Sequence, residues 1–557
     1  MAESITIVPR RKRSDASPSR IADRVGRPGG GLQSLLLASA LFGLAVMVHA
    51  QTLRFPFLMS WDDPAYIVHD PWIRGLTLEN LRFAFTKPYF SAYFPLHLVS
   101  YMVDYQLWGL NPFGFRLQSL LLAGLNAALA FGLTRRLFGS TALGLVAALF
   151  YAVHPSHVEA VAWLSIRKDL LSTFFLLLTV ILYDQATRDR FRGSWYAGSV
   201  VAFLLGLLSK VSISMLPLFL VVLDLTRRWE GGAFSWKRAV ATKIPYGVFA
   251  LALVVVNDLA QVKTHLPYAS QPLSYLMVKG QSVGMYLGLL TGILDGRPIY
   301  DAPWLGGLHG ALYLSLLALP LAVFAFAYVR RLRILTLGVA WIFVLLLPAI
   351  AFPLVTYMAD RYLYAPSLGF CWILAAGILW LAHRVRSEER RALAVVAMVA
   401  VVFTFFVVRT VRYEAVWGDP QKLWAYAHQR SRDMRATSNL AQALYVNRRY
   451  VEAEQLYRTI LWTNTVEAWT GIACVYFNTG RYGEAREAMD KAVLVMGRRR
   501  PSQQADVLYL RGQIVWISDR NAAIRDWEEA VRLDPKHERA KARLRAPDMP
   551  PSPPNRL

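Results

Sequence analysis

The sequence predicts an all-α protein in two parts: a polytopic membrane bundle of about eleven spans, then a C-terminal helical solenoid. Three observations predict it. The chain of 557 residues is 55% hydrophobic and only 18% charged, whereas a soluble protein carries about a quarter charged residues. Apolar runs near the length of a bilayer crossing, about 20 helical residues, recur between residues 32 and 411. Beyond 411 the long runs stop and a helical repeat begins. Two cysteines, Cys371 and Cys474, exclude a disulfide framework and a cysteine-rich zinc site. The net charge of +24 would suggest nucleic acid in a soluble chain. Here it sits in short clusters between apolar runs, as in cytoplasmic loops, and no nucleic-acid partner is expected.

Residues 1–31 form a basic tail (Arg10, Arg11, Lys12, Arg13, Arg20, Arg24, Arg27), expected in the cytoplasm. The run to about Gln51 reads as an uncleaved span, because it is about 20 residues long and its A-x-A-like end is weak. Residues 52–114 are aromatic and mixed, an outer loop whose amphipathic stretches Leu78–Phe85 and Leu96–Trp108 read as interfacial helices. Further runs lie at 115–134, 139–153, 169–187, 195–209, 211–225, 244–260, 307–328, 334–352, 362–382 and 392–411. If each crosses once, every dense basic cluster falls on the N-terminal side: Arg135-Arg136; Arg188, Arg190 and Arg192; Arg227-Arg228 with Lys237-Arg238 and Lys243; Arg330, Arg331 and Arg333; and Arg384 to Arg391. Two consequences follow. The stretch 195–225 must be two short spans turning near Ser209-Lys210, and 279–294 must enter and leave on the outer face.

In residues 412–545, Leu440, Ala441, Leu444, Tyr450, Ala453 and Tyr457 recur 32 residues later as Ile472, Ala473, Tyr476, Tyr482, Ala485 and Met489. A third unit ends Ala523, Trp527, Ala530 and Asp534-Pro535. This is the tetratricopeptide (TPR) helix-pair pattern, and three units suffice to share a core. Residues 546–557 are Pro-rich and expected to be disordered.

The candidate chemistry lies at the outer ends of spans, where polar groups cost free energy unless paired or used. Asp62 and Asp63 precede Pro64. Adjacent carboxylates repel, so one can hold a proton near neutral pH and act as a general base; an Asx-turn or helix cap is the plainer reading of the dipeptide. His154, His157 and Glu159 match no strong zinc spacing, so no metal is expected and a hydrogen-bonded helix end is the bland alternative. Arg167 and Lys168 lie on the outer face, against the charge rule, and an anionic ligand would explain them. Lys210 is a lone cation at an outer turn, with no counter-ion nearby in the sequence; it could also snorkel. Arg361 could grip a phosphate bidentately, or simply pair with Asp360. Tyr362 and Tyr364 fit either a binding site or an interface belt.

These stretches resemble the transmembrane-and-TPR (TMTC-type) glycosyltransferases of the GT-C superfamily, related to the protein O-mannosyltransferases. The matching segments are Trp61–Ile67, Gly75–Phe85, His154–Ser172, Leu207–Lys210 with Pro217, Lys243–Tyr246, Met358–Gly369 and Trp417–Trp424, in the family's order over nearly the whole chain. The resemblance implies a GT-C-like domain over 32–411 and an inverting transfer of a sugar, mannose for example, from a polyprenyl phosphate to a protein or other hydroxyl on the outer face. The lipid-linked donor is the substrate and no cofactor is implied. Asp62 maps onto the base and Asp63 onto a supporting acid. Arg167, Lys168, Lys210 and Arg361 map onto phosphate contacts, with His154, His157, Glu159 and Tyr364 in the substrate site. The chain departs from relatives at Phe94, Tyr101, Ile166 and Leu289.

A competing reading is a catalytically altered scaffold that binds partner proteins through its TPR repeats. A transporter fits less well, because the charges collect at one face and not near the midplane. The expected setting is a bacterial inner membrane, with the N-terminus cytoplasmic and the repeats periplasmic.

Overall fold

The computed structural model describes residues 31–550 apart from 91, 189–190, 232–233, 262–270, 302–307, 353–355 and 357. The basic tail around Arg10–Arg13, Arg190 and residues 551–557 lie outside the described residues. Among the described residues the regular elements are helices, apart from one bridge between Tyr89 and Ala92.

In chain order the first part comprises α1 (Gly31–Val48), α2 (Leu78–Thr86), α3 (Pro95–Trp108), α4 (Pro112–Phe138), α5 (Thr141–Ala152), α6 (Val158–Ala162), α7 (Lys168–Thr187), α8 (Gly193–Ser209), α9 (Leu216–Arg227), α10 (Trp236–Ala241), α11 (Ile244–Ala260), α12 (Pro272–Leu290), α13 (Leu308–Val329), α14 (Arg333–Ala351), α15 (Ser367–Ala382) and α16 (Glu388–Trp417). Each apolar run read from the sequence overlaps a helix among the described residues. Among the described residues, seven helical segments, ending in α1, α4, α7, α11, α13, α14 and α16, are long and apolar enough to cross a membrane, and α5 with Pro155–Ala162, bent by 50°, would make an eighth. The shorter helices explain the difference from about eleven. The 12 residues of α9 rise only about 18 Å, against a hydrocarbon core of about 30 Å.

The stretch 195–225 runs along α7 and back, with its turn at Ser209-Lys210. Lys210, in extended backbone between α8 and the 3₁₀ turn Val211–Met215, pairs with Asp169 at the start of α7. Arg227, closing α9, reaches Asp184 and Thr187 at the end of α7. The 20 residues of α7 separate those two ends by about 30 Å. At the Asp184 end the basic clusters converge: Arg136, Arg188 and Arg227 on Asp184, Lys243 on Asp224, and Arg333 on Glu230. Residues 279–290 lie in α12, both ends of this stretch near the Lys210 end of the bundle: Lys279 donates to the carbonyls of Ala349 and Phe352, and the Leu290 carbonyl accepts from His154.

The bundle core is built around Trp341 and Trp372, whose rings lie 5.2 Å apart. Close helix approach rests on small residues. A Cβ on Gly338 of α14 would stand 2.8 Å from the carbonyl oxygen of Gly369 in α15. In the 52–114 segment, α2 and α3 occupy the two amphipathic stretches, and the Thr77 hydroxyl accepts from the Asn80 amide to cap α2. Buried polar groups fasten the loop. Buried Arg116 donates to the carbonyls of Phe55, Pro56 and Ala162. Asn257 of α11 accepts from the Tyr93 amide at 3.1 Å and donates to its carbonyl at 3.2 Å.

The second part runs through α17 (Pro420–Arg430), α18 (Met434–Val446), α19 (Tyr450–Ile460), α20 (Val466–Asn478), α21 (Tyr482–Val495), α22 (Pro501–Val515), α23 (Arg520–Leu533) and α24 (Glu538–Arg545). Each helix packs on the next, and α18 also meets α20, as α20 meets α22. Equivalent repeat positions begin equivalent helices, Met434 and Val466, then Tyr450 and Tyr482. A small residue permits close packing here: a Cβ on Gly471 would stand 2.3 Å from the Tyr457 ring. The start of the Pro-rich tail is fastened, since the Trp516 indole donates to the Pro547 carbonyl at 2.8 Å.

Candidate functional site

The site forms where the 52–114 loop, the α6–α7 junction and the 358–366 segment meet. Its first part is an aromatic cluster. Trp61 packs on Trp163 at 4.1 Å and on Trp424 of α17 at 4.9 Å, and the Trp424 indole donates to the Ser60 hydroxyl at 2.7 Å. The first helix of the C-terminal part therefore holds the Asp62–Asp63 turn in place.

The two carboxylates of that turn have different environments. Asp63 is fully buried; Oδ2 accepts from the Leu58 amide at 2.8 Å, and Oδ1 accepts from the amide and hydroxyl of Ser165. Asp62 is half-buried, and its carboxylate has no hydrogen-bond partner among the described residues. Burial raises its pKa, with a smaller push from Asp63, against the pull of Lys168 and Arg361. Burial also raises Asp63, opposed by its hydrogen bonds from Ser165 and Leu58.

The cations separate as sharply. Lys168 is half-buried over the Phe94 and Tyr66 rings, at 4.5 and 5.2 Å, with no ion pair among the described residues. Arg361 pairs with Glu159 through its guanidinium, and its backbone amide donates to Glu159 at 2.8 Å. Lys210 pairs with Asp169 and lies 5.3 Å from the Tyr362 ring. Lys210, Arg361, Asp169 and Tyr362 line one cavity of about 350 Å³, whose far wall includes Val254 and Asn257 of α11 and Leu345 of α14. Asp62 is not among its lining residues; it stands in the field of Arg361, at the side towards Lys168.

Several expectations are corrected. Arg167 does not join the other cations. It is wholly buried, ion-paired with Asp104, donating to the Phe115 carbonyl at 2.6 Å and the Ser119 hydroxyl at 3.0 Å. Lys210 is not without a counter-ion: Asp169 supplies one from the neighbouring helix. Arg361 does not pair with Asp360, which is buried and accepts from the Tyr300 and Tyr413 hydroxyls. Burial, with Glu159 nearby, pushes the Asp360 carboxyl up. His154, His157 and Tyr364 are core residues. His154 bonds the Leu290 carbonyl, His157 the Ser367 hydroxyl at 2.8 Å, and Tyr364 accepts from Asn126 at 3.2 Å. Glu159 acts by holding Arg361. The sequence reading missed Asp169, Phe94, Tyr66 and Trp163 as site residues; the aromatic runs around Trp61 and Tyr89 were the available signal.

Comparison with known proteins adds to this geometry. The family described as "Dolichyl-phosphate-mannose-protein mannosyltransferase" matches over residues 95–259, which contain Lys168 and Lys210. The mouse (Mus musculus) protein O-mannosyl-transferase TMTC1 is 30% identical over 203 residues, covering 34% of this chain and 20% of the relative. Drosophila melanogaster protein O-mannosyl-transferase Tmtc3 is 24% identical over 497 residues, covering 74% of this chain and 53% of the relative. Its compatriot Tmtc1 is 24% identical over 461 residues, covering 66% and 54%. The chain thus spans between a fifth and about half of the length of these relatives.

Proposed function

We propose that the chain, which is similar to the TMTC-type relatives of the protein O-mannosyltransferases, transfers a sugar, mannose in its named relatives, from a polyprenyl phosphate to a hydroxyl acceptor on a protein. The observation that carries the reading is Lys210 and Arg361 on the wall of one cavity, with an unengaged carboxylate, Asp62, in the field of Arg361.

The residues divide the work. Arg361 and Lys210, joined by Lys168, hold the phosphate and stabilise the charge that develops on it as the bond from the anomeric carbon to the phosphate oxygen breaks. Each cavity cation keeps a protein carboxylate, so its charge is balanced by the protein without closing the site to an anion. The apolar wall of Val254 and Leu345 suits the polyprenyl chain. Asp62 takes the acceptor's proton as its oxygen bonds to the anomeric carbon from the opposite face, which inverts the configuration. Asp63 positions the turn through Leu58 and Ser165. This reading is favoured over a scaffold because, among the described residues, the Asp62 carboxylate has no hydrogen bond and Lys168 no ion pair, which a purely structural role would not require.

A guanidinium grips two oxygens where an ammonium is a point charge. Arg361→Lys should therefore lower transfer from labelled polyprenyl-phosphate mannose by about tenfold or more, with the donor KM rising. An unchanged donor KM would remove Arg361 from the phosphate.

The tetratricopeptide reading of α18–α23 and the eleven crossings belong to the same proposal, with the repeats outside, facing a protein acceptor or partner. Convergence of the basic clusters at the Asp184 end supports an inside location for that end. Protease added to sealed right-side-out vesicles should digest the C-terminal helices, and their protection would reverse the orientation.

A further inference from the structure

A second cavity, of about 610 Å³, lies at the Asp184 end of the bundle, about 30 Å along α7 from Lys168. Its mouth carries Arg135, Arg136 and Arg188, and its apolar side is Leu35 and Ala38 of α1 with Phe131 of α4. We propose that it binds an anionic phospholipid, with the phosphodiester among the arginines and one acyl chain along α1. This inference is independent of the sugar-transfer reading.

Charge is the first argument. Asp184 is shared by Arg136, Arg188 and Arg227, and Asp224 by Arg227 and Lys243. Arg135 stands beside them, bonded only to the neutral Ser34 hydroxyl among the described residues. With Glu230 and Arg333 included, three carboxylates face six cations at this end among the described residues, an excess that a bound anion would offset. The 30 residues preceding α1 carry seven cations and three carboxylates, so that segment is a poor source of the missing charge.

Shape is the second argument. Leu32, Leu35 and Leu36 of α1 are 71, 63 and 61% exposed, a surface suited to hydrocarbon. At Gly132, which lines the cavity, an added Cβ would meet nothing within 4 Å. The groove is therefore open between the arginine mouth and the lipid-facing side. A phosphate-bearing anion explains the mouth, and an acyl chain explains the apolar wall as well. Basic pockets between membrane helices recognise anionic headgroups by this combination.

The experiment uses the delipidated full chain in detergent, with native mass spectrometry and thermal unfolding in added phosphatidylglycerol, phosphatidylcholine or inorganic phosphate. Phosphatidylglycerol should be retained at least about tenfold more strongly than phosphatidylcholine, and inorganic phosphate should not reproduce its stabilisation. Arg135→Gln with Arg188→Gln should cut that retention about tenfold or more. Gly132→Leu, which alters no charge and meets no neighbour at Cβ, should do the same by filling the groove. It also keeps the test decisive if the double variant fails to fold. Equal retention of both lipids, or phosphatidylglycerol binding unchanged by Gly132→Leu, would overturn the proposal. Equal stabilisation by inorganic phosphate would assign the mouth to a free anion instead.

Discussion

Asp62→Asn is expected to lower sugar transfer by about 100-fold to 10,000-fold, the range of a general base, while the protein stays as stable as the wild type or becomes more so. The two effects have one cause. Burial and Asp63 raise the Asp62 pKa, so its ionised form is less favourable in the folded chain than in the unfolded one. A raised carboxylate contributes stability that is fully present below the unfolded pKa and is lost as pH rises through the folded pKa. Asparagine never ionises and escapes that loss. Thermal unfolding of Asp62→Asn should therefore fall less than wild type between acid and neutral pH. Transfer by the wild type should rise with pH through the raised pKa, with its acid limb above the ordinary aspartate range of about 4. Asp63→Asn should behave differently. An amide nitrogen would face either the Leu58 or the Ser165 donor, so stability and loop order should suffer with activity. Unchanged transfer in Asp62→Asn would remove it as base.

The contrast between Asp62 and Asp63 shows which information is local in this chain. Helix positions were legible, because apolar periodicity and run length act within one segment: the two amphipathic stretches became α2 and α3, and the repeat period reappeared in α18–α21. The convergence of basic clusters was legible too, because one membrane sets one rule for every loop. Partner choice was not. Asp63 is selected by Ser165, Arg361 by Glu159 and Lys210 by Asp169, across 102, 202 and 41 residues. No periodicity encodes such pairings; they depend on which helix ends meet. The same holds for Asp360, which turns to Tyr300 and Tyr413 although Arg361 adjoins it in sequence. The resemblance placed the cations at the site, but it could not tell an engaged arginine from an available lysine.

Arg167 and Lys168 provide the sharpest test of that distinction. Arg167 and Asp104 are both fully shielded, with side-chain exposures of 0%. Removing one charge leaves the other buried, which costs about 3–5 kcal/mol, whereas replacing both with apolar groups is often neutral. Asp104→Asn should therefore destabilise the protein by about 3–5 kcal/mol, since Arg167 would keep only neutral acceptors such as the Phe115 carbonyl and the Ser119 hydroxyl. The double variant Asp104→Leu with Arg167→Met should recover most of the loss and keep the donor KM near wild type, because neither residue touches the donor. Lys168→Met should give the reverse pattern. Its chain would still cover the Phe94 and Tyr66 rings, so unfolding should change little, but the donor KM should rise as the third phosphate cation is lost. The measurements are thermal unfolding and donor-dependent transfer kinetics on the same three preparations. A stable double variant with a strongly raised donor KM would return Arg167 to the phosphate site. A Lys168→Met protein with wild-type kinetics would leave Arg361 and Lys210 to hold the donor alone.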